Sequence, residues 1–147
     1  MHIRRLGPGD ENDVVRAASL LDDPPDLAAV RSYLADSRNI FLLAFEGGVA
    51  VGFLRGTELE QLRSERKQMF LYEIEVKGEC RRRGIGSGLI RALLRHCRKQ
   101  GFEEVFVFTD PANHPAVKLY QSTGAVTETS ADRMFVYRLG SSPRTRA

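Results

Sequence analysis

The feature that most constrains this chain is a strand, a helix and a second strand that follow one another within residues 69–110. The apolar run MFLYEIEVK precedes a glycine-containing segment, and the run EEVFVFTD ends the stretch at Asp110. Between the two runs, apolar residues recur from Ile85 to Cys97 at helical spacing, which predicts an amphipathic helix. Two consecutive strands joined by a helix lie parallel in one sheet, with a right-handed crossover. The sequence therefore predicts an α/β fold around a partly parallel sheet.

The rest of the chain contributes shorter elements that can extend this sheet. Two β-rich runs at residues 39–45 and 49–54 flank a Gly47–Gly48 turn, the pattern of an antiparallel hairpin. Asp10 and Asp26 are candidate N-caps, because each precedes a segment with helical spacing. The remaining expected elements are a first strand at 2–6, a helix from Asn113 ended by Gly124, and a last strand at 133–139.

Length and composition indicate a single domain. The chain has 147 residues, of which 42% are hydrophobic, which is enough for one core and leaves little room for a second. We expect residues 1–140 to form this domain. We expect residues 141–147 to be a disordered tail, because they form a short polar terminus that contains Ser, Pro and Arg.

Charge and residue usage narrow the range of partners. The net charge is only +3 and the 28% of charged residues carry both signs, so we do not expect a nucleic-acid partner. The start of the chain lacks the apolar core of a signal peptide and no apolar run could cross a bilayer, so we expect a cytoplasmic protein without membrane contact. The cysteines and histidines have no metal-ligand spacing, so we expect no metal. A homodimer is left open.

The segment GECRRRGIGSGLI has the composition of an anion site. Gly84 and Gly86 allow the backbone to approach a ligand closely, and the helix start that follows presents unpaired N–H groups. Arg81, Arg82 and Arg83 add long side chains with N–H donors that suit phosphate oxygens. A pyrophosphate would satisfy this arrangement. The alternatives are a nucleic acid, or a plain helix start with solvated arginines, because short glycine motifs are weak evidence.

Three spaced motifs resemble the acetyl-CoA signature of the GNAT superfamily of N-acetyltransferases. They are YEIEV, RRRGIG and NHPAVKLYQSTG, in this order along the chain. The resemblance implies the GNAT fold, an α/β fold with a central mixed and twisted sheet of about six to seven strands and about four flanking helices. It also implies acetyl-CoA as the cosubstrate, bound by Val76, Arg81, Arg82, Arg83, Gly84, Ile85, Gly86, Ser87, Asn113 and Tyr120.

The same resemblance implies a role for each part of the coenzyme site. The segment from Arg81 to Ser87 binds the pyrophosphate, and the strand from Tyr72 to Val76 pairs with pantetheine. The Val76 N–H polarises the thioester carbonyl as an oxyanion donor. Tyr120 is the acid that protonates the leaving thiolate, with packing in the core as its alternative role.

Within the superfamily, the sequence is most similar to the aminoglycoside 3-N-acetyltransferases. The similarity lies in YEIEV and in DPANHPAVKLYQSTG, with Glu73 where aspartate is usual and Glu75 where a small residue is usual. It implies acetyl transfer to the 3-amino group of an aminoglycoside, by direct attack in a ternary complex. The alternatives are another amine, such as a polyamine or a protein N-terminus, and a non-catalytic module that binds CoA or nucleic acid.

Three carboxylates are candidates for the base that accepts a proton from the attacking amine. Glu73 and Glu75 lie two apart in a strand, hence on one face, where partial burial and mutual repulsion would tune a carboxylate for proton transfer. Asp110 ends the next strand, and the carboxyl ends of parallel strands frame the ligand crevice. We expect Asp110 and Glu73 to share the handling of the amine. The alternative is that all three carboxylates face solvent or form salt bridges.

An aminoglycoside carries several positive charges, so its binding site should be acidic. The loop between the first two helices offers three aspartates, although DDPP is equally a turn and Asp26 equally an N-cap. The expected substrate-binding residues are Asp22, Asp23, Asp26, Glu73, Glu75 and Asp110.

Overall fold

The computed structural model describes residues 1–128 and 134–140, so the expected tail at 141–147 lies outside the described residues. The strands are β1 (His2–Arg5), β2 (Asn39–Glu46), β3 (Val49–Leu59), β4 (Gln68–Val76) and β5 (Glu104–Phe106). The helices are α1 (Glu11–Arg16), α2 (Leu27–Ala35), α3 (Ile85–Lys99) and α4 (His114–Ser122), and short 3₁₀ turns lie at Ala18–Leu20 and Gly78–Cys80.

The strands form one mixed sheet in the order β1-β2-β3-β4-β5. Consecutive strands from β1 to β4 pair antiparallel, whereas β4 and β5 pair parallel. The helix α3 connects the two parallel strands, so the predicted strand–helix–strand unit is confirmed, as is the α/β class with four helices. The expected six to seven strands are too many, because the described residues form five.

The last strand, predicted at 133–139, is not formed by the described part of this segment. Arg133 lies outside the described residues, and residues 134–139 form neither helix nor strand. An alternating apolar and aromatic run is typical of a strand, but a strand also needs a neighbour that satisfies its backbone groups. Tyr137 and Leu139 are 90% and 97% exposed, so these two side chains lack the packing of residues in a sheet.

One hydrophobic core lies between α3 and the sheet. The apolar residues of α3 share one face, and Ile85, Leu89 and Leu93 are each at most 1% exposed. Burial of each such side chain contributes about 1.5–3 kcal/mol, so this face determines where α3 lies. Ile85 packs beside Gly52, the residue of β3 opposite Val76, and the N-terminus of α3 therefore lies near the end of β4.

A second core lies on the opposite face of the sheet, under α1 and α2. The rings of Phe41 and Phe53 stack there with their centroids 5.4 Å apart. Asp26 starts α2 as predicted, because its Oδ1 accepts a hydrogen bond from the Ala29 N–H at 2.8 Å. Asp10 occupies the N-cap position of α1, but its side chain makes no capping hydrogen bond.

The pairing of β3 with β4 contains a β-bulge. Arg55 lies opposite Glu73 and Gly56 lies opposite Leu71, so Tyr72 has no opposite residue in β3. An extra residue of this kind bends the strand and re-aims its side chains. The bulge therefore sets the direction of the side chains in the middle of β4, where one of the predicted glutamates lies.

Gly56 lies at this bulge with backbone packed directly against it. A Cβ at position 56 would lie 2.7 Å from the carbonyl oxygen of Phe70, which is too close for a side chain. We expect Gly56→Ala to force the strands apart and to lower the free energy of unfolding by about 1–3 kcal/mol. Denaturant unfolding measures the change, with Gly78→Ala as the control, because no atom lies within 4 Å of a Cβ at that position. Equal stability of the two variants would contradict close packing at the bulge.

Candidate active site

Beyond its short paired region with β5, β4 has no strand of the described residues beside it on that side, and this unpaired edge is called the gap between β4 and β5. Only Gln68–Phe70 of β4 pairs with Glu104–Phe106 of β5, although β4 continues to Val76. The Lys77 N–H donates to the Val51 carbonyl at 2.9 Å on the β3 side. Amide directions alternate along a strand, so the Val76 N–H points to the other side, toward the gap. The described residues place no strand there, which leaves this N–H available to a ligand.

The segment from Arg81 to Ser87 forms a loop that leads into α3. Arg82 and Gly84 have positive φ angles of 64° and 80°, so the chain turns sharply before the helix begins. No side chain caps α3, and a Cβ on Gly84 would meet no atom within 4 Å. The first N–H groups of α3 therefore lie beside open space, where the amides and the helix dipole favour an anion. The loop thus has the backbone geometry of an anion site, and its binding of a pyrophosphate stays a prediction.

Two of the three arginines in this loop form ion pairs with glutamates. Nη2 of Arg81 lies 3.2 Å from Glu75 Oε1, and Nη2 of Arg83 lies 2.8 Å from Glu46 Oε2. Arg82 forms no ion pair within the described residues. Both paired arginines are more than half exposed, and exposed ion pairs contribute only about 0–1 kcal/mol. A phosphate can therefore replace either glutamate at little cost.

The first turn of α3 also holds α4 in place. A Cβ on Gly86 would lie 3.1 Å from Leu119 Cδ2, so the glycine allows α4 to pack closely on α3. Ile85 is buried and Ser87 is partly buried in the same turn. Ile85 and Gly86 thus have packing roles, and only their backbone groups are free to serve in the predicted coenzyme binding.

The helix α4 carries the two other residues predicted to contact the coenzyme. Asn113 is exposed and caps the helix, because its Oδ1 accepts from the Ala116 N–H at 3.2 Å. Tyr120 packs at the edge of the core under α3, and burial raises the pKa of its hydroxyl. The Tyr120 hydroxyl therefore keeps its proton at neutral pH, as a proton donor must.

Asp110 lies in the coil between β5 and α4. The strand β5 ends at Phe106, so Asp110 does not end the strand as predicted; the strand is shorter because its pairing with β4 covers only three residues. The Asp110 Oδ1 accepts a hydrogen bond from the Ala112 N–H at 2.8 Å, a local turn that orients the carboxylate. The side chain is exposed and forms no ion pair with any described residue.

Glu73 and Glu75 lie opposite Arg55 and Phe53 on one face of the sheet. Mutual repulsion between the two carboxylates was expected, but each glutamate is paired with an arginine instead. Glu73 Oε2 lies 2.7 Å from Arg55 Nε, and Glu75 Oε1 pairs with Arg81. The pairs neutralise charge that was predicted to attract a polycation.

Arg55 is a residue of this site that the sequence analysis missed. Its guanidinium lies 4.2 Å from the centroid of the Tyr72 ring and 5.5 Å from that of Tyr33, which lies on α2. A single arginine in the otherwise apolar run VAVGFLRG was a usable signal, because an isolated charge in a buried strand needs a partner. The missing information was the register that places Arg55 opposite Glu73.

Aromatic rings line the region where β4 and β5 pair. Phe70 stacks on Phe106 with centroids 5.0 Å apart, and Phe108 lies edge-on to both rings. Phe108 is 66% exposed, and Tyr72 is more than half exposed. The start of the gap is therefore partly aromatic, a property that the sequence analysis did not predict.

The loop before α2 contains the remaining predicted substrate residues. Asp22 and Asp23 are exposed and form no ion pair with the described residues. Asp26 is exposed too, but its carboxylate caps α2, so the structural alternative holds for this residue. The predicted contact of this loop with a substrate stays a prediction.

The described residues contain no cluster of three His, Cys, Asp or Glu side chains that could hold a metal ion. Among the same residues, no helix is both long and apolar enough to span a membrane.

Comparison with known proteins gives related sequences and related folds. Residues 11–125 match the family described as acetyltransferase (GNAT) family. "N-acetyltransferase family 8 member 3" of Rattus norvegicus is 34% identical over 119 residues, which are 80% of this chain and 52% of that protein. "N-acetyltransferase 8" of Homo sapiens is 31% identical over 106 residues, 72% of this chain and 46% of that protein. The chain thus spans about half the length of the curated relatives it matches.

Two groups of solved structures have a similar fold. The aminoglycoside acetyltransferase meta-AAC0020 from an uncultured soil metagenomic sample, in complex with sisomicin, is 28% identical with a TM-score of 0.87, covering 95% of this chain and 96% of that one. The aminoglycoside N-acetyltransferase AAC(6')-Iy in complex with CoA is 26% identical with a TM-score of 0.76, covering 93% of each chain. Members of the matched family use acetyl-CoA. From the family match over most of its length and from its fold, this chain belongs to the acetyltransferase (GNAT) family.

Proposed function

We propose that the protein transfers the acetyl group of acetyl-CoA to an amine of an aminoglycoside. The observation that carries this proposal is the gap between β4 and β5, which lies next to the uncapped N-terminus of α3. One side of the site thus offers backbone N–H groups to a pyrophosphate and to a carbonyl oxygen. The other side offers carboxylates and aromatic rings to an amine. This pairing of an anion site with an amine site suits acyl transfer from a phosphorylated donor.

The residues that would hold the coenzyme are those of the loop, together with the end of β4. The N–H groups at the start of α3 and the guanidinium groups of Arg81, Arg82 and Arg83 would bind the pyrophosphate. The Val76 N–H would hydrogen-bond the acyl oxygen. Bound acetyl-CoA supplies an acetyl group activated as a thioester.

The cysteines favour direct attack by the amine over an acyl-enzyme. Cys80 and Cys97 are the only cysteines of the chain, and both are buried. Burial also raises the pKa of Cys97 to about 11, so its thiol is protonated at neutral pH. A buried, protonated thiol is a poor nucleophile, which supports a ternary complex.

Proton transfer falls to Asp110, Glu73 and Tyr120. A protonated amine cannot attack, so a carboxylate must accept its proton directly or through water. Asp110 is exposed and forms no ion pair with a described residue, which favours it over Glu73, whose Oε2 is bound to Arg55. Tyr120, protonated at neutral pH, is the candidate acid for the leaving thiolate.

The aminoglycoside is the finer part of the proposal. It is supported by the resemblance of YEIEV and DPANHPAVKLYQSTG, and by the solved aminoglycoside acetyltransferases with the same fold. The resemblance implies the 3-amino group, whereas AAC(6')-Iy carries a 6' designation. The experiment therefore also determines which amino group is acetylated.

The experiment is an acceptor screen with acetyl-CoA. We expect thiol release with sisomicin and gentamicin at a kcat/KM at least about tenfold above that with spermidine or a short peptide, because a site that hydrogen-bonds a substrate rejects analogues that leave its polar groups unpaired. Mass spectrometry and NMR of the product locate the acetyl group. We expect Asp110→Asn to lower kcat/KM and Glu103→Gln, which removes an exposed carboxylate that forms no ion pair with a described residue, to retain turnover. Activity with spermidine or peptide alone would exclude the aminoglycoside, and no activity with any amine would exclude the transferase.

Replacing Gly84 tests the pyrophosphate site. We expect Gly84→Asp to weaken acetyl-CoA binding about 100-fold, because a carboxylate would lie where the phosphates belong. The matched control is Gly84→Asn, which has the same size without the charge, and both residue types tolerate positive φ. Calorimetry should give an affinity about tenfold higher for the Asn variant than for the Asp variant. Wild-type affinity in both variants would mean that the pyrophosphate binds elsewhere.

Replacing Tyr120 tests its role as an acid. Tyr120→Phe keeps the ring and its packing but removes the hydroxyl, so we expect kcat to fall about tenfold to 100-fold, as for the loss of a general acid. The affinity for acetyl-CoA should stay within about twofold of wild type. Steady-state kinetics and calorimetry measure the two quantities, and Tyr137→Phe, at an exposed position, is the control. An unchanged kcat would assign Tyr120 to the core alone.

A further inference from the structure

Arg55 and Glu73 form a polar pair in the middle of the sheet, at the bulge between β3 and β4. They lie directly opposite each other in the register, and Tyr72 is the extra residue of the bulge. Their side chains are 31% and 33% exposed, so the pair is partly enclosed but still reached by solvent. Bulges are common beside active sites, because they re-aim side chains without changing the rest of the sheet.

Aromatic rings on two sides hold the Arg55 guanidinium. It lies 4.2 Å from the Tyr72 ring and 5.5 Å from the Tyr33 ring, distances that suit cation–π attraction. Tyr33 is itself fixed, because its hydroxyl lies 2.8 Å from the Gly56 carbonyl and 3.0 Å from the Ile40 carbonyl. Burial raises the pKa of Tyr33 to about 12, so the hydroxyl stays a donor to these carbonyls. The guanidinium is therefore oriented before any ligand arrives.

The ion pair uses only part of each group. Arg55 contributes Nε and Glu73 contributes Oε2, at a distance of 2.7 Å. A guanidinium has five N–H donors, so the two Nη groups with four of them lie outside this contact, as does Glu73 Oε1. The guanidinium also hydrogen-bonds the Tyr33 hydroxyl, which occupies part of this donor capacity. The pair can thus offer hydrogen-bond donors and a charged acceptor side by side.

We propose that Arg55 is a specificity-determining residue of the acceptor site, whose Nη groups bind an oxygen of the acceptor while Glu73 Oε1 binds the amine on a neighbouring carbon. This inference rests on the proposed function. It deepens that function by naming the acceptor class as amines with an oxygen, hydroxyl or ether, on an adjacent carbon, as in amino sugars and aminocyclitols. An amine without such an oxygen gains no hydrogen bond from the Nη groups, which stay bound to water, and still brings a second positive charge close to the guanidinium.

The test compares two acceptors that differ only in their oxygens. 2-Deoxystreptamine is a cyclohexane ring with amines at positions 1 and 3 and three hydroxyls, and cis-1,3-diaminocyclohexane is the same ring without hydroxyls. We expect wild type to prefer 2-deoxystreptamine by at least about tenfold in kcat/KM, and Arg55→Gln to reduce that preference about tenfold, because the lost group binds only the oxygen. Comparing the two preferences cancels the different basicities of the amines.

Two further variants separate specificity from structure. Lys67→Gln breaks the 2.9 Å ion pair between Lys67 and Glu58 near the ends of the same two strands, and should leave the preference unchanged. Arg55→Lys keeps the charge but loses the planar fork, so its preference should lie between those of wild type and Arg55→Gln. The unfolding midpoint and the acetyl-CoA affinity of Arg55→Gln show whether this variant folds. If it does not fold, the preference of Arg55→Lys tests the inference instead.

The outcomes distinguish this inference from the proposed function. An equal loss of kcat/KM for both acceptors in the Arg55 variants would assign Arg55 to structure alone, and a wild-type enzyme without preference would overturn the inference. In both cases acetyl transfer itself persists. Absence of turnover with every amine would instead overturn the proposed function.

Discussion

Burial of the apolar face of α3 against the sheet is the interaction on which the site depends. Ile85, Leu89 and Leu93 are almost completely buried, and Ile85 is also the first residue of the helix. The same contact that stabilises the core therefore fixes the first N–H groups of α3 beside the end of β4. The sheet contributes the other half, because β5 pairs with β4 over only three residues and β4 continues beyond them without a described strand on that side. An anion site and an open strand edge thus meet without any loop having to fold around a ligand.

The charges around this gap are balanced rather than acidic. Glu75 and Glu46 are paired with arginines of the loop, and Glu73 is paired with Arg55. The pairs of the loop are exposed and weak, so phosphate can displace them, whereas Arg55 is held by two tyrosine rings. Coenzyme binding would therefore free carboxylates on the loop side, while the acceptor side keeps a fixed donor–acceptor pair. A substrate that combines amines with hydroxyls matches this distribution better than a plain polycation.

The main part of the fold was predictable because local sequence patterns determine its helices and strands. The apolar spacing of α3, the glycine turn of the hairpin and the cap at Asp26 each depend on residues close in sequence. Arg55 was missed because its role depends on the register between β3 and β4, including a bulge that no local pattern indicates. Glu73 and Glu75 show the same limit: repulsion was inferred from their spacing with salt bridges as the alternative, and the arginines that form those bridges are set by the register and by the loop before α3. The last strand was wrongly predicted because alternating apolar residues indicate a strand-like composition but do not show that a neighbouring strand is there to pair with it.

The central claim is that the N–H groups of Val76 and of the first turn of α3 bind acetyl-CoA. Amide hydrogen exchange with and without CoA tests it most directly, because it reports on these backbone groups themselves. We expect CoA to slow exchange in the segments 71–77 and 82–90 and to leave the hairpin of β2 and β3 unchanged. Protection confined to other parts of the chain, or none at saturating CoA, would contradict it.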